Sequence, residues 1–155
     1  MSRERQVTFY VSGAPIPQGS VTAHAARRKD GSHYATVHYA VGTKLHNWRN
    51  AVSRAAREAW GDDMTYHPVT LALVFYKARP LSHYEGLQFH VRPRYRDELP
   101  DGTPDLDKLI RAIGDALTDV VYADDAQIVE LSAVKKYVPN RQHPPGVEVS
   151  IIALP

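Results

Sequence analysis

The chain has 155 residues, 43% of them hydrophobic and 23% charged, with a formal net charge of +2. That length suits one domain, spanning 1–155, around one core, and the apolar share is too high for a disordered chain. Cysteine is absent, which excludes disulfides and thiolate metal sites. No apolar run nears the ~20 residues that cross a bilayer, and the opening MSRERQVTFYV lacks a signal-peptide core; a cytosolic protein is expected.

In chain order, Val7 to Gly13 alternates in the strand manner, and Gly13, Pro15 and Pro17 end the run. Residues 14–42 read as loop, with room for a short strand at Ala35 to Tyr39. Thr43 is placed to cap a helix through about Trp60, with Leu45, Trp48, Val52, Ala55, Ala56 and Ala59 on one face and Gly61 as its stop. Trp48 and Trp60 are expected as core or interface anchors rather than base-stacking platforms. Val69 to Tyr76 is a strongly apolar strand. Residues 78–104, rich in proline and arginine, form a long loop of the kind that often carries function.

After Pro104, the residues Leu106, Leu109, Ile110, Ile113 and Leu117 make an amphipathic helical stripe. Ala123-Asp124-Asp125 is a turn, Gln127 to Val138 a strand, Pro139 to Gly146 a break, and Val147 to Leu154 a last strand. The pattern implies an α+β domain: two main helices packed with a small, mixed or mainly antiparallel sheet.

Charge is segregated along this chain. Residues 21–60 carry Arg27, Arg28, Lys29, Lys44, Arg49, Arg54 and Arg57 against Asp30 and Glu58. Residues 77–96 carry Lys77, Arg79, Arg92, Arg94 and Arg96 against Glu85. Residues 101–130 reverse the sign, with Asp101, Asp105, Asp107, Asp115, Asp119, Asp124, Asp125 and Glu130 against Lys108 and Arg111. Solvated surfaces usually intersperse the two signs. Basic surface flanking an acidic pocket suits a polyanion held over a cation site; chance clustering on a small protein is the plainer alternative.

The acids carry the chemistry. Asp105 and Asp107 point about 200° apart within a helix and to one side of an extended segment. They converge only where the backbone changes conformation between them, and Pro104 marks such a helix start. Singly, Asp105 suits an N-cap, Asp107 a first-turn acid, and Asp124-Asp125 a solvated turn pair. Together they read as a cation site, because carboxylates brought close repel one another and hard oxygen ligands suit Mg²⁺. An EF-hand lacks its loop glycine and terminal glutamate. Zinc chemistry lacks an H-E-x-x-H, and His83-Tyr84-Glu85 has no cysteines to complete a deaminase site.

At Asp105-Leu106-Asp107, Asp115-Ala116-Leu117 and Asp124-Asp125-Ala126-Gln127-Ile128 the chain resembles the RusA-type Holliday-junction resolvases. Val134-Lys135-Lys136-Tyr137 is similar to that family's basic strand. The match is strongest over 103–138; the N-terminal half agrees through its opening strand, the Ala14-Pro15-Ile16-Pro17-Gln18-Gly19 loop and a helix. The resemblance implies a homodimeric endodeoxyribonuclease that cuts four-way DNA junctions. Asp105, Asp107 and Asp125 would be its catalytic, metal-binding acids, with Mg²⁺ as cofactor and Mn²⁺ as a substitute.

Two departures stand out. Lys108 occupies the family's Asn position, and Arg111 replaces its catalytic Lys. Arg111 stays positive one turn after Asp107, where it can hold a phosphate or pair with Asp107. Asp115 is either an accessory acid or a surface one. Arg27, Arg28, Lys29, Lys108, Lys135 and Lys136 are candidate DNA contacts, although Lys135 and Lys136 face opposite sides of a strand. The rival readings are a non-catalytic DNA-binding or architectural protein, and a broader flap or branched-DNA nuclease.

Overall fold

A computed structural model describes residues 4–19, 22–38, 42–86 and 90–155. A four-stranded mixed sheet holds β1 (Arg5–Ser12), β4 (Val69–Lys77), β7 (Ile128–Tyr137) and β8 (Gly146–Ala153) in the order β1-β8-β4-β7. β8 runs antiparallel to both β1 and β4, whereas β4 and β7 are parallel. α1 (Gly42–Trp60) and α2 (Leu106–Leu117) are the two main helices. The expected α+β class is what the chain adopts.

One face of the sheet makes the core. Val7, Phe9 and Val11 of β1, Leu71, Leu73 and Phe75 of β4, and Val147, Val149 and Ile151 of β8 join one apolar cluster with Leu45, Trp48, Val52 and Ala56 of α1 and Leu109, Ile113 and Leu117 of α2. The period-2 alternation of the strands and the 3.6 period of the helices meet here, and burial of these faces drives the assembly. Both tryptophans are core residues, as expected: Trp48 is 5% exposed and Trp60 1%.

The parallel β4–β7 pair determines where the acids fall. Neighbouring parallel strands need a crossover, so α2 runs back against the strand direction between them. The start of α2 therefore lies by the C-terminal ends of β4 and β7, and its end lies by their beginnings.

Several boundaries differ from the sequence expectation. Residues 14–42 were expected as loop with a strand at Ala35 to Tyr39, yet they hold a hairpin, β2 (Thr22–Arg27) and β3 (His33–His38); Tyr39 lies outside the described residues. Polar and small residues there mask the alternation. Thr43 lies inside α1 rather than capping it. Gly61, at φ 96°, ends α1 as expected, its N–H bonding Arg57 O at 2.9 Å. Among its described residues, the 78–104 stretch contains 3-10 turns at Leu81–His83 and Pro93–Tyr95 and a minimal hairpin, β5 (Tyr84–Glu85) with β6 (His90–Val91). Three Arg79 bonds to the carbonyls of Tyr95, Arg96 and Val138 tie it down.

Candidate active site

Asp105 has extended backbone, φ −67° and ψ 136°, while Asp107 lies in the first turn of α2. The conformational break that their spacing required is present. Asp105 stands at the N-cap position without a side-chain cap bond. Its carboxylate instead accepts from Lys108 Nζ at 2.7 Å. That hydrogen bond, then the charge of Lys108 and of Lys135, hold the Asp105 carboxyl below its usual range; the same contact raises Lys108.

The turn before Asp105 is held from beneath by two lysines. Lys77 Nζ donates to Thr103 O at 2.6 Å, and Lys135 Nζ to Gly102 O at 2.7 Å and Pro104 O at 3.0 Å. Lys135 is therefore a support for the Asp105 turn, and Lys108 is its partner. Both are engaged within the chain. Lys136, on the opposite side of β7, is exposed.

Asp125 occupies the other end of the crossover. Asp124 caps the 3-10 turn Asp125–Gln127, accepting from Ala126 N at 2.8 Å, while Gln127 Oε1 accepts from Asp124 N at 3.0 Å. Gln127 Nε2 also donates to Thr65 O and His67 O, both at 3.0 Å, which fixes this turn beside the start of β4. Asp125, thus positioned, lines an open acidic cleft with Asp115, Asp119, Asp124 and Arg49. Tyr122 donates to Gly114 O at 3.0 Å beneath it. Burial, then the charges of Asp125 and Asp115, push the Tyr122 phenol far up.

Asp107, Arg111 and Asp125 share one property. Each is exposed, and among the described residues no hydrogen bond or ion pair reaches any of the three side chains; no salt bridge joins Asp107 to Arg111. Asp115 differs. It is bonded by Gln18 Nε2, and Gln18 N also donates to Lys108 O at 3.0 Å, so the Pro17-Gln18-Gly19 loop is strapped along α2. Sequence reasoning missed Gln18, Arg49, Tyr122 and Asp119 as site neighbours. Gln18 had a signal, since it sits in the loop shared with the resolvases. Asp119, at φ 64°, had only the general tolerance of Asp for that conformation.

The donor chemistry suits a hard divalent cation, since all three acids offer carboxylate oxygens. The placement does not suit one within a single chain. Among the described residues no group of three His, Cys, Asp or Glu side chains is arranged to hold a metal ion. Asp105 and Asp107 stand at one end of α2, and Asp125 joins Asp115 at the other. Ten residues of helix, Asp105 to Asp115, cover about 15 Å, whereas a two-ion site spans only about 4 Å between its metals.

Residues 17–152 match the family described as Endodeoxyribonuclease RusA. The chain is a member of the RusA endodeoxyribonuclease family. The protein is also 26% identical over 145 residues to the uncharacterized protein YqaN of Bacillus subtilis (strain 168), a match covering 94% of each chain. The RusA match takes in both acid clusters, the Gln18 strap, β4 and β7, so the family unit is nearly the whole chain rather than the Asp motif alone. Among the described residues no helix is long and apolar enough to cross a membrane.

Proposed function

We propose that this RusA-family member, acting as a unit of all 155 residues, hydrolyses phosphodiesters of four-way DNA junctions by paired symmetric nicks, in recombination and repair. The observation that carries the reading is the state of Asp107, Arg111 and Asp125: charged, exposed and committed to nothing else in the fold. Structural acids are usually capped or paired, as Asp124 is here. Asp105, Asp107 and Asp125 are the proposed catalytic and metal-binding acids, with Mg²⁺ or Mn²⁺ as the cofactor. Arg111, with its planar fork of donors, is proposed to take two phosphate oxygens and offset the charge that grows on them in the transition state.

The substrate side rests on charge. Arg27, Arg28 and Lys29 stand exposed at the tip of the β2–β3 hairpin, and Lys136 is exposed on β7. Such cations grip phosphates without reading sequence. A junction with two strands to cut calls for two sites about a two-fold axis, hence a homodimer. The proposed setting is the cytoplasm of a bacterial or phage-infected cell.

One observation favours a second reading, a DNA-binding protein that does not cut: among the described residues a lone chain gathers no three-carboxylate group. The deciding experiment sets wild type beside Asp107→Asn on four-way junctions, flaps and linear duplex, with Mg²⁺, Mn²⁺ or chelator. Cation-dependent nicking of junctions, lost in the variant while junction binding survives, supports the nuclease. Binding without cutting in either cation establishes the binding module, and flap cutting in preference to junctions establishes the broader nuclease.

A further inference from the structure

We propose that the apolar cleft beside the Asp105 turn captures one unstacked nucleobase of the DNA, next to the phosphate to be cut. This rests on the nuclease reading for its substrate, and gives the branched form of that substrate a point of recognition.

The cleft lies at the C-terminal end of β4. The start of α2, the Ala14-Pro15 segment after β1 and Pro145 before β8 close around it, leaving a volume of about 260 Å³. That is under the ~300–1,000 Å³ of pockets built for larger ligands, and suits one compact, flat group. Phe75 and Leu109, each 2% exposed, form its inner end, and the exposed Ala14 and Ala78 its mouth. Pro15, Pro104 and Pro145 add rigid walls, which lose no side-chain freedom when something enters.

Among the described residues, the charged groups of the lining are Lys77 and Lys135 alone. Neither is fully spent on its clasp. Lys77 gives one of its three donors to Thr103 O, and Lys135 gives two, to Gly102 O and Pro104 O. Each ammonium keeps an N–H for an outside acceptor. An apolar cavity rimmed by cations calls for an apolar body joined to an anion. A nucleotide is such a body, a π-face that binds by contact with a phosphate attached. Pro104 lines the cleft and Asp105 follows it in the chain, so a base held here leaves its phosphate beside the proposed acids.

The same chemistry selects branches rather than sequences. Walls of proline, alanine and phenylalanine carbon take any base by its face. Extruding a base from continuous duplex costs unpairing and unstacking, and the cost falls where pairing is already interrupted, as at a branch point. A cleft that must be filled therefore favours junctions over linear DNA.

The test reads the base directly and needs no cutting. Four-way junctions carry 2-aminopurine, which brightens on leaving the stack, at successive positions about the branch point, and are bound to Asp107→Asn. One position should brighten several-fold. Adding Ala78→Leu or Ala14→Leu fills the mouth from exposed sites and should abolish that rise. Junction binding should weaken about tenfold, on the scale of one base–aromatic stack, with linear-duplex binding unchanged. Binding without brightening at any position overturns the proposal and leaves the nuclease intact, as does brightening that both filled variants retain. Filled variants that lose self-association instead assign the cleft to a second copy and overturn it as well. If wild type binds junctions but never cuts, the nuclease reading fails and base capture is still judged by the fluorescence. If neither protein binds DNA, both fail.

Discussion

Lys108 favours the charged form of Asp105, and removing it should be visible in a single titration. In metal-free protein the Asp105 carboxyl titrates below its usual value because Lys108 donates to it. Replacing Lys108 with Ala should return the Asp105 midpoint toward the usual range, followed by carboxyl NMR; an unmoved midpoint would show the pair absent in solution. The sign of the stability effect follows. A carboxyl depressed in the folded state contributes above its unfolded midpoint, and that contribution is lost as pH falls through the folded one. Exposure and screening keep it small.

Asp107, Asp125 and Arg111 belong to the opposite class. Being exposed and unpartnered, they are expected to cost almost nothing on substitution, within about 0.5 kcal/mol by denaturant melts of Asp107→Asn or Asp125→Asn. Activity should disappear in both. Arg111→Ala should lower kcat by about 10²–10³ if the guanidinium meets the transition state, while Arg111→Lys retains part of it. An Arg111→Ala enzyme with wild-type kcat would remove Arg111 from the chemistry. Asp124→Ala should show the reverse pattern, losing about 1 kcal/mol of stability through its cap.

At the scale of elements, the crossover helix and its two ends were unequally legible. The apolar stripe from Leu106 to Leu117 and the break between Asp105 and Asp107 could be read from spacing, because helix period and proline chemistry act locally. The separation of Asp105 from Asp125 could not. It follows from β4 and β7 being parallel neighbours, a long-range fact that neither strand's own residues encode. The β2–β3 hairpin was missed for a related reason: Thr22–Arg27 has no strong alternation to mark it. The support given by Lys77 and Lys135 was also illegible, since a lysine on a strand reads equally well as solvent-facing. Lys135→Met should destabilise the protein by about 1.5–3 kcal/mol, typical of hydrogen bonds to a charged group. A variant as stable as wild type would show the clasp to be idle. Gly146 gives a steric counterpart: a Cβ there would lie 2.2 Å from Val11 O. Gly146→Ala should therefore cost about 1–3 kcal/mol by thermal unfolding, with the β1–β8 pairing displaced.

Across the whole molecule, the order of elements correctly announced a small α+β fold, and the set of motifs correctly announced the family. Both are sums over many residues and tolerate local errors. Placement within the sheet is another matter, because an edge strand looks like any other strand until its neighbours are known. Sheet order is thus the quantity that converts a readable motif into a readable site.

The one-sidedness of the sheet has a further consequence. α1 and α2 both pack on the face that carries Leu71, Leu73 and Val149, while Thr8, Tyr10 and Ser150 lie on the reverse, against which neither of them packs. α2 and the Asp105–Asp107 turn at its start therefore belong to the ridged face. A flat, four-armed DNA brought to that turn would lie across helices rather than along the open sheet.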